Sequence, residues 1–374
     1  MASLYFHIPF CHHKCIYCDF YSIARKFDLS LYTKALIKEL TYRKMFFEDK
    51  VSLRSIYFGG GTPSLLSVSD LNKIFQTIYN YFPIDKDCEI TLEANPENIT
   101  RDYIYELKQL GINRISLGVQ SFEDKDLKLL NRTHNSLLAK KAIEILKSSG
   151  IENISIDLIS NLPNTDLHTW KSNLETFLSF DLPHISCYAL MREENTMLDK
   201  LLKKNKLTLL NETEQIKQME ITMNVLKEHN YIHYETSSFA LEGFGSVHNM
   251  AYWTFEKYLG IGAAAHSFNG RERFWNVADV FKYTQSVSED DFASIMEKEE
   301  LTNQNKYNEY VMLTSRMHKG LSLNFVKNNF PEYYSHFSFQ IDKLIKEGFL
   351  SKELSLTKKG WLLQDEMILC LATV

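Results

Sequence analysis

No stretch of about 18 uncharged apolar residues interrupts these 374 residues, so no membrane-spanning helix is expected. The opening "MASLYFHIPFC" lacks a basic segment followed by a cleavable apolar run, and no secretion signal is expected there. There is no large charge excess either. Lys and Arg total 42 against 47 Asp and Glu, a balance that does not call for a nucleic-acid partner. Cysteine is scarce, with six residues, too sparse for a disulfide framework at this length. No low-complexity tract occurs, and nothing repeats beyond a strand–helix unit.

What is present is a core-forming chain, 44% hydrophobic, long enough for two domains or one large domain with an appendage. Short apolar runs alternate with amphipathic ones. Strands are expected at 4–8, 53–58, 88–94, 112–119, 153–159 and 184–190. Helices are expected between them at 29–46, 67–82, 97–111, 136–150 and 166–180, with Ser67 or Ser69 capping the second. Alternation of this kind implies right-handed crossovers and a parallel sheet, hence an α/β protein, either an open doubly wound sheet or a partly closed barrel. After about 190 the pattern loosens. A helix is expected at 211–230, then a stretch rich in Gly, aromatic and His residues. The charged segment 292–306 is expected to open a separate module with helices at 307–319, 322–329 and 336–347. A short hairpin and a last helix follow, an arrangement resembling a winged helix. Its third helix, "SFQIDKLIKEGF", balances Lys343 and Lys346 with Asp342 and Glu347, which argues against DNA binding.

Half the cysteines, Cys11, Cys15 and Cys18, crowd into "PFCHHKCIYCDFY" directly after the first strand. The remaining three, Cys88, Cys187 and Cys370, read as small buried hydrophobes. A closed zinc site wants four ligands, commonly two nearby pairs; His7, His12 and His13 are close, but no second cysteine pair follows. Three thiolates suit three irons of an iron–sulfur cubane, leaving the fourth iron open to another ligand. Ordinary thiols are the plainest reading. The spacing favours the cluster without closing the other two.

The ligand sites of parallel α/β folds gather beyond the carboxyl ends of the strands. There the sequence delivers the cysteines, then Gly59, Gly60, Gly61, Thr62 and Pro63. Glu93, Gln120 and Asp157 come from the next three strands. The glycines read either as a tight turn or as a backbone edge open to a ligand. They are not a phosphate loop, since the lysine of that motif is absent. Glu93 and Asp157 read as ion-pair partners or ligand contacts, and Arg132 as a surface charge or a carboxylate partner. In "HNMAYW", His248 reads as a heme-iron ligand flanked by Tyr252 and Trp253, or more plainly as a hydrogen-bonded structural histidine. His266 is a lesser candidate.

The Cys-x3-Cys-x2-Cys spacing, with Tyr17 before the third cysteine, resembles the signature of radical S-adenosylmethionine (SAM) proteins. The segments "YFHIPFC", "CIYCDFYS", "YFGGGTPSLL", "EANPENIT", "GINRISLGVQSFEDKDLKLLNRTH", "IDLISNLP" and "HNMAYW" are similar to those of the heme-chaperone family. They are also similar to the related oxygen-independent coproporphyrinogen III oxidases. The likeness spans about residues 4–270 and is weaker beyond. It implies a three-quarter (β/α)6 barrel core at 1–190, an extension carrying HNxxYW at 191–290, and a helical, winged-helix-like unit at 291–374. It implies a [4Fe-4S] cluster on Cys11, Cys15 and Cys18, and SAM at Tyr5, Tyr17, Gly60, Gly61, Thr62, Glu93, Gln120, Arg132 and Asp157. It also implies heme b at or near His248. Delivery of heme to membrane respiratory hemoproteins is the expected function. Further expectations are a cytoplasmic location, peripherally at the inner face of the membrane, a homodimer, and flavodoxin or ferredoxin as reductant if SAM is cleaved. No nucleic acid is expected. The oxidases carry another cysteine two positions after the third, where this chain has Phe20, and an N-terminal segment for which no residues precede the first strand. Both departures favour the chaperone over the oxidase.

Overall fold

The computed structural model describes residues 1–47 and 51–373. Each expected strand forms. β1 (Ala2–Ile8), β2 (Leu53–Gly60), β3 (Ile84–Ala94), β4 (Arg114–Gln120), β5 (Asn153–Ser160) and β6 (His184–Ala189) pair in parallel, in chain order. The crossovers run through α1 (Leu29–Tyr42), α2 (Val68–Tyr81), α3 (Arg101–Gln109), the short α4 (Asp124–Leu129) with α5 (Ser136–Ser148), and α6 (Leu167–Leu178). Helix starts follow local chemistry: the side chains of Ser67, Thr100, Asn135 and Asp166 accept the free amides of α2, α3, α5 and α6. The helix expected at 97–111 is split. Pro96 opens a separate 3-10 turn, Pro96–Asn98, and α3 begins only after its Thr100 cap. Strands buried on both faces explain the near-continuous apolar runs of β1, β4 and β5, whose Leu4, Phe6, Leu117, Ile156 and Leu158 are fully buried.

Beyond β6 come α7 (Met197–Lys203), α8 (Glu212–Glu228), β7 (Ile232–Glu235), β8 (Ser238–Ala240) and α9 (Val247–Trp253). They are followed by β9 (Lys257–Ile261), β10 (His266–Phe268), β11 (Glu272–Asn276), α10 (Val280–Ser288) and β12 (Met296–Glu300). β9 pairs in parallel with β1 on the side opposite β2, a seventh parallel strand that the sequence reading leaves in irregular chain. The complete order is β12-β11-β10-β9-β1-β2-β3-β4-β5-β6-β8-β7, with antiparallel pairs confined to both flanks.

The charged stretch expected to begin a separate module instead contains β12, hydrogen-bonded to β11 at the sheet edge. Its alternation of Glu and Lys suits an exposed edge strand. The helical unit starts after it, with α11 (Asn303–Thr314), α12 (Leu323–Asn329), α13 (Tyr334–Lys346), α14 (Lys358–Leu362) and α15 (Gln364–Leu371). The expected hairpin is a single antiparallel bridge, Leu350 to Leu356. This unit has its own core of Tyr307, Val311, Phe337, Ile341, Leu344 and Met367. Among the described residues no helix is long and apolar enough to cross a membrane.

Candidate functional site

β1 runs straight into the cysteine segment. The loop is pinched at its base, where the Cys11 amide donates to Ile23 O (3.1 Å) and the Ile23 amide to Pro9 O (2.8 Å). Farther out, the Ile16 amide donates to Leu130 O (3.3 Å), and Ile16 O accepts from the Leu198 amide (2.8 Å). Ile16 and Tyr17 pack on Leu130, Ile159, Leu162, Leu190 and Leu198, so the loop is anchored by burial as well. The three thiols are free and half-buried. Burial raises the Cys11 thiol and pushes Cys18 up to about 11.

A chain of side-chain hydrogen bonds joins two of these sulfurs. Thr62 Oγ1 lies 3.6 Å from Cys11 Sγ and accepts from Asn95 Nδ2 (3.2 Å). Arg132 Nη2 donates to Asn95 Oδ1 (2.6 Å) and Gly118 O (2.9 Å), while its Nη1 lies 3.5 Å from Cys15 Sγ. Among the described residues no three His, Cys, Asp or Glu side chains converge on one point as a single ion requires. A cubane makes no such demand, since each thiolate binds a different iron. With a hydroxyl beside Cys11 and a guanidinium beside Cys15 as polar donors to the sulfurs, the donor set fits such a cluster. Asn95, the link between the two halves, was not singled out from the sequence. Its signal is weak: an amide just past β3, in "EANPEN".

The glycines next to the cysteines are tightly fitted. Gly60 has φ +109°, where a Cβ would meet the His7 ring at 2.5 Å. A Cβ on Gly61 would strike Ile8 O and Phe10 O, each at 2.8 Å. The missing side chains thus let the β2 end lie directly against the cysteine strand. Gln120 ends β4 with φ +69°, just after a register shift between Gly118 and Gln120. A non-glycine in that region stores strain of the kind that clusters at ligand sites.

Glu93 accepts from the Tyr57 hydroxyl (2.8 Å) and the Gly60 amide (3.2 Å). Burial pushes its pKa to about 7, against those two hydrogen bonds. Asp157, three residues before the end of β5, faces Ser116 Oγ at 3.4 Å, and burial raises it to about 6. Tyr5 points its hydroxyl at His7 Nδ1 (3.0 Å), and His7 Nε2 reaches Tyr21 O (2.9 Å), so His7 holds the far end of the cysteine loop. His12 and His13 are exposed.

His248 lies elsewhere, against the amino-terminal half of β2. It is 2% exposed, with Nδ1 2.9 Å from Ser55 Oγ and Nε2 3.2 Å from the Tyr252 hydroxyl. Burial lowers its pKa to about 3, so the ring is neutral. Both nitrogens are engaged in this conformation. His266 is exposed on β10, stacked on Trp275.

A parallel α/β sheet with three thiols grouped beyond its first strand is the arrangement of radical SAM proteins. The family model described as Radical SAM superfamily matches residues 5–176, and membership implies a [4Fe-4S] cluster and SAM. The chain is 35% identical to the heme chaperone HemW of Bacillus subtilis (strain 168), covering 98% of each. It is likewise 35% identical to that of Lactococcus lactis subsp. lactis (strain IL1403), covering 96% of this chain and 94% of the relative. It belongs to the heme chaperone HemW family. The solved coproporphyrinogen III oxidase (HemN) of Escherichia coli has the same fold, with a TM-score of 0.84 and 22% identity, covering 100% of this chain and 90% of that one.

Proposed function

We propose that this chain binds heme b as cargo and hands it to heme-accepting proteins, the membrane respiratory enzymes among them, under control of a SAM-loaded [4Fe-4S] cluster. Cys11, Cys15 and Cys18 would hold the cluster. Bound there, it supplies a one-electron reductant and an open iron for the SAM aminocarboxylate. The observation that carries this reading is the hydrogen-bonded chain Cys11–Thr62–Asn95–Arg132–Cys15, which braces two of the three thiols, with no fourth beside them among the described residues. Phe20 stands 64% exposed where the oxidases are expected to have their extra cysteine.

Tyr5, Tyr17, Gly60, Gly61, Thr62, Glu93, Gln120, Arg132 and Asp157 form the proposed SAM site. His248 is the proposed heme ligand, and Tyr252 must release its Nε2 for iron to bind. The cavity beside Tyr252 and Trp253 is about 190 Å³, below the usual size of a small-molecule pocket, so α9 must shift to admit a macrocycle. The parallel strands are the proposed three-quarter (β/α)6 barrel. The proposed units are a core to 190, an HNxxYW extension, and a winged-helix-like tail whose start moves from 291 to about 302. A cytoplasmic homodimer working at the inner face of the membrane, with flavodoxin or ferredoxin as reductant, completes the proposal.

Anaerobic reconstitution tests it. Wild-type protein is expected to show cluster absorbance, to bind SAM and to titrate with heme. Cys15→Ala should lose the cluster, and His248→Ala should shift the heme spectrum. Turnover of coproporphyrinogen III with release of 5'-deoxyadenosine, or no heme binding by loaded protein, would overturn it.

A further inference from the structure

Strand alternation puts Ser55, Tyr57 and Gly59 on one face of β2, and Glu89, Thr91 and Glu93 on one face of β3. The two faces meet inside the sheet and connect the rim to α9 by two routes. In the first, the Tyr57 hydroxyl donates to Glu93 at the rim while the Tyr57 ring lies against His248, centroids 4.7 Å apart and planes 22° apart. Tyr5 closes the stack at 6.2 Å from both rings. In the second, Glu89 accepts from the Val247 amide (3.0 Å), the His248 amide (3.0 Å) and Ser246 Oγ (3.4 Å), fixing the first turn of α9. Arg114 is buried beside it, with Nε 3.8 Å from the Glu89 carboxylate.

A hydroxyl meets His248 at each ring nitrogen: Ser55 Oγ, itself 2.7 Å from Ser3 Oγ, lies 2.9 Å from Nδ1, and the Tyr252 hydroxyl lies 3.2 Å from Nε2. A metal would reach Nε2 only after the Tyr252 hydroxyl moves.

We propose that Tyr57 is a positioning residue that couples ligand binding at the Glu93 rim to the placement of His248 and the opening of α9. This rests on the proposed SAM site. A ligand that bonds Glu93 competes with the Tyr57 hydroxyl for the same carboxylate. The Tyr57 ring cannot follow without moving the imidazole stacked on it, because close-packed interiors respond by discrete shifts. By linkage, whatever SAM does to heme affinity, heme does equally to SAM affinity.

Hydrogen exchange of residues 246–249, with and without SAM on the reconstituted protein, tests this without heme. Wild-type exchange there is expected to change about fivefold or more on SAM binding. Tyr57→Phe keeps the ring and loses only the hydroxyl. It is expected to bind SAM while its α9 response falls away. Glu89→Gln, which leaves Tyr57 in place, should raise basal exchange at 246–249 and keep the SAM response. In parallel, SAM should shift wild-type heme affinity about fivefold and leave that of Tyr57→Phe unchanged. SAM bound to wild type with no response in α9 would overturn the coupling alone, as would an undiminished response in Tyr57→Phe. Absence of SAM binding in wild type would overturn the proposed function and the coupling with it.

Discussion

Glu93 and Asp157 are carboxyl groups held in surroundings that favour their neutral forms, at about 7 and about 6. Both values are raised, so folded protein keeps protons that the unfolded chain releases. Stability from Glu93 is therefore greatest on the acid side. It falls as pH climbs from its ordinary 4.5 to about 7, then levels. With its partial exposure allowed for, that loss is about 2 kcal/mol. Between pH 5 and 7.5 the buried histidines, His248 among them, act in the opposite sense, so the difference carries the test. The melting temperature of ligand-free wild type should fall relative to that of Glu93→Gln as pH rises, and a constant difference would refute the assignment. At this scale the sequence was partly legible. Cys11, Cys15 and Cys18 announce themselves because their spacing is local. Asn95, Tyr57 and Ser55 do not, because their roles depend on which residues the strand register sets opposite them. His248 was visible as a residue type, but not that Ser55 and Tyr252 would occupy both its nitrogens.

Among the elements, the end of β2 and the strand leading to Cys11 depend on each other most directly. The Gly61 amide donates to Ile8 O (3.0 Å), and the backbone of Phe10 lies where a Cβ would go. Backbone cannot swing aside as a flexible side chain does, so Gly61→Ala is expected to cost about 1–3 kcal/mol. The displaced cysteine loop should also take up less iron and sulfide. Thermal melting and iron content per chain check both, and normal iron content in a destabilised variant would separate the two effects. The central strands and their helices were legible because βα alternation and cap residues are local signals. β9 was not. "KYLGI" is a short apolar run among aromatics, and its partner, β1, lies more than 250 positions away in the chain. β12 was misread for a related reason: its charges look like linker until β11 is seen beside it.

Across the whole molecule, the helical unit has its own core and is joined to the rest by Met219 and Met223 of α8 packed against it, by the His233–Trp361 ring stack and by polar contacts. Arg273 on β11 grips Glu309 on α11 through two hydrogen bonds, at 2.7 and 2.6 Å. Arg316 lies 5.5 Å from the centre of the Trp253 ring, and Lys358 pairs with Glu220 at 2.8 Å. Leu313 of α11 and Tyr252, Trp253 and Phe255 line the same small cavity. α9 is thus held from within by Glu89 and from outside by the helical unit. Removing one partner of a half-buried bidentate pair strands the other's charge, a loss of about 1–3 kcal/mol. Because the helical core is independent of that pair, Glu309→Ala should loosen the attachment without unfolding the unit. Hydrogen exchange is expected to quicken in α11 and in α9 while the cores of α13 and β1–β5 keep their protection, and cluster reconstitution should match wild type. Faster exchange confined to α11 would show that the outer clamp does not bear on α9, leaving Glu89 as its anchor.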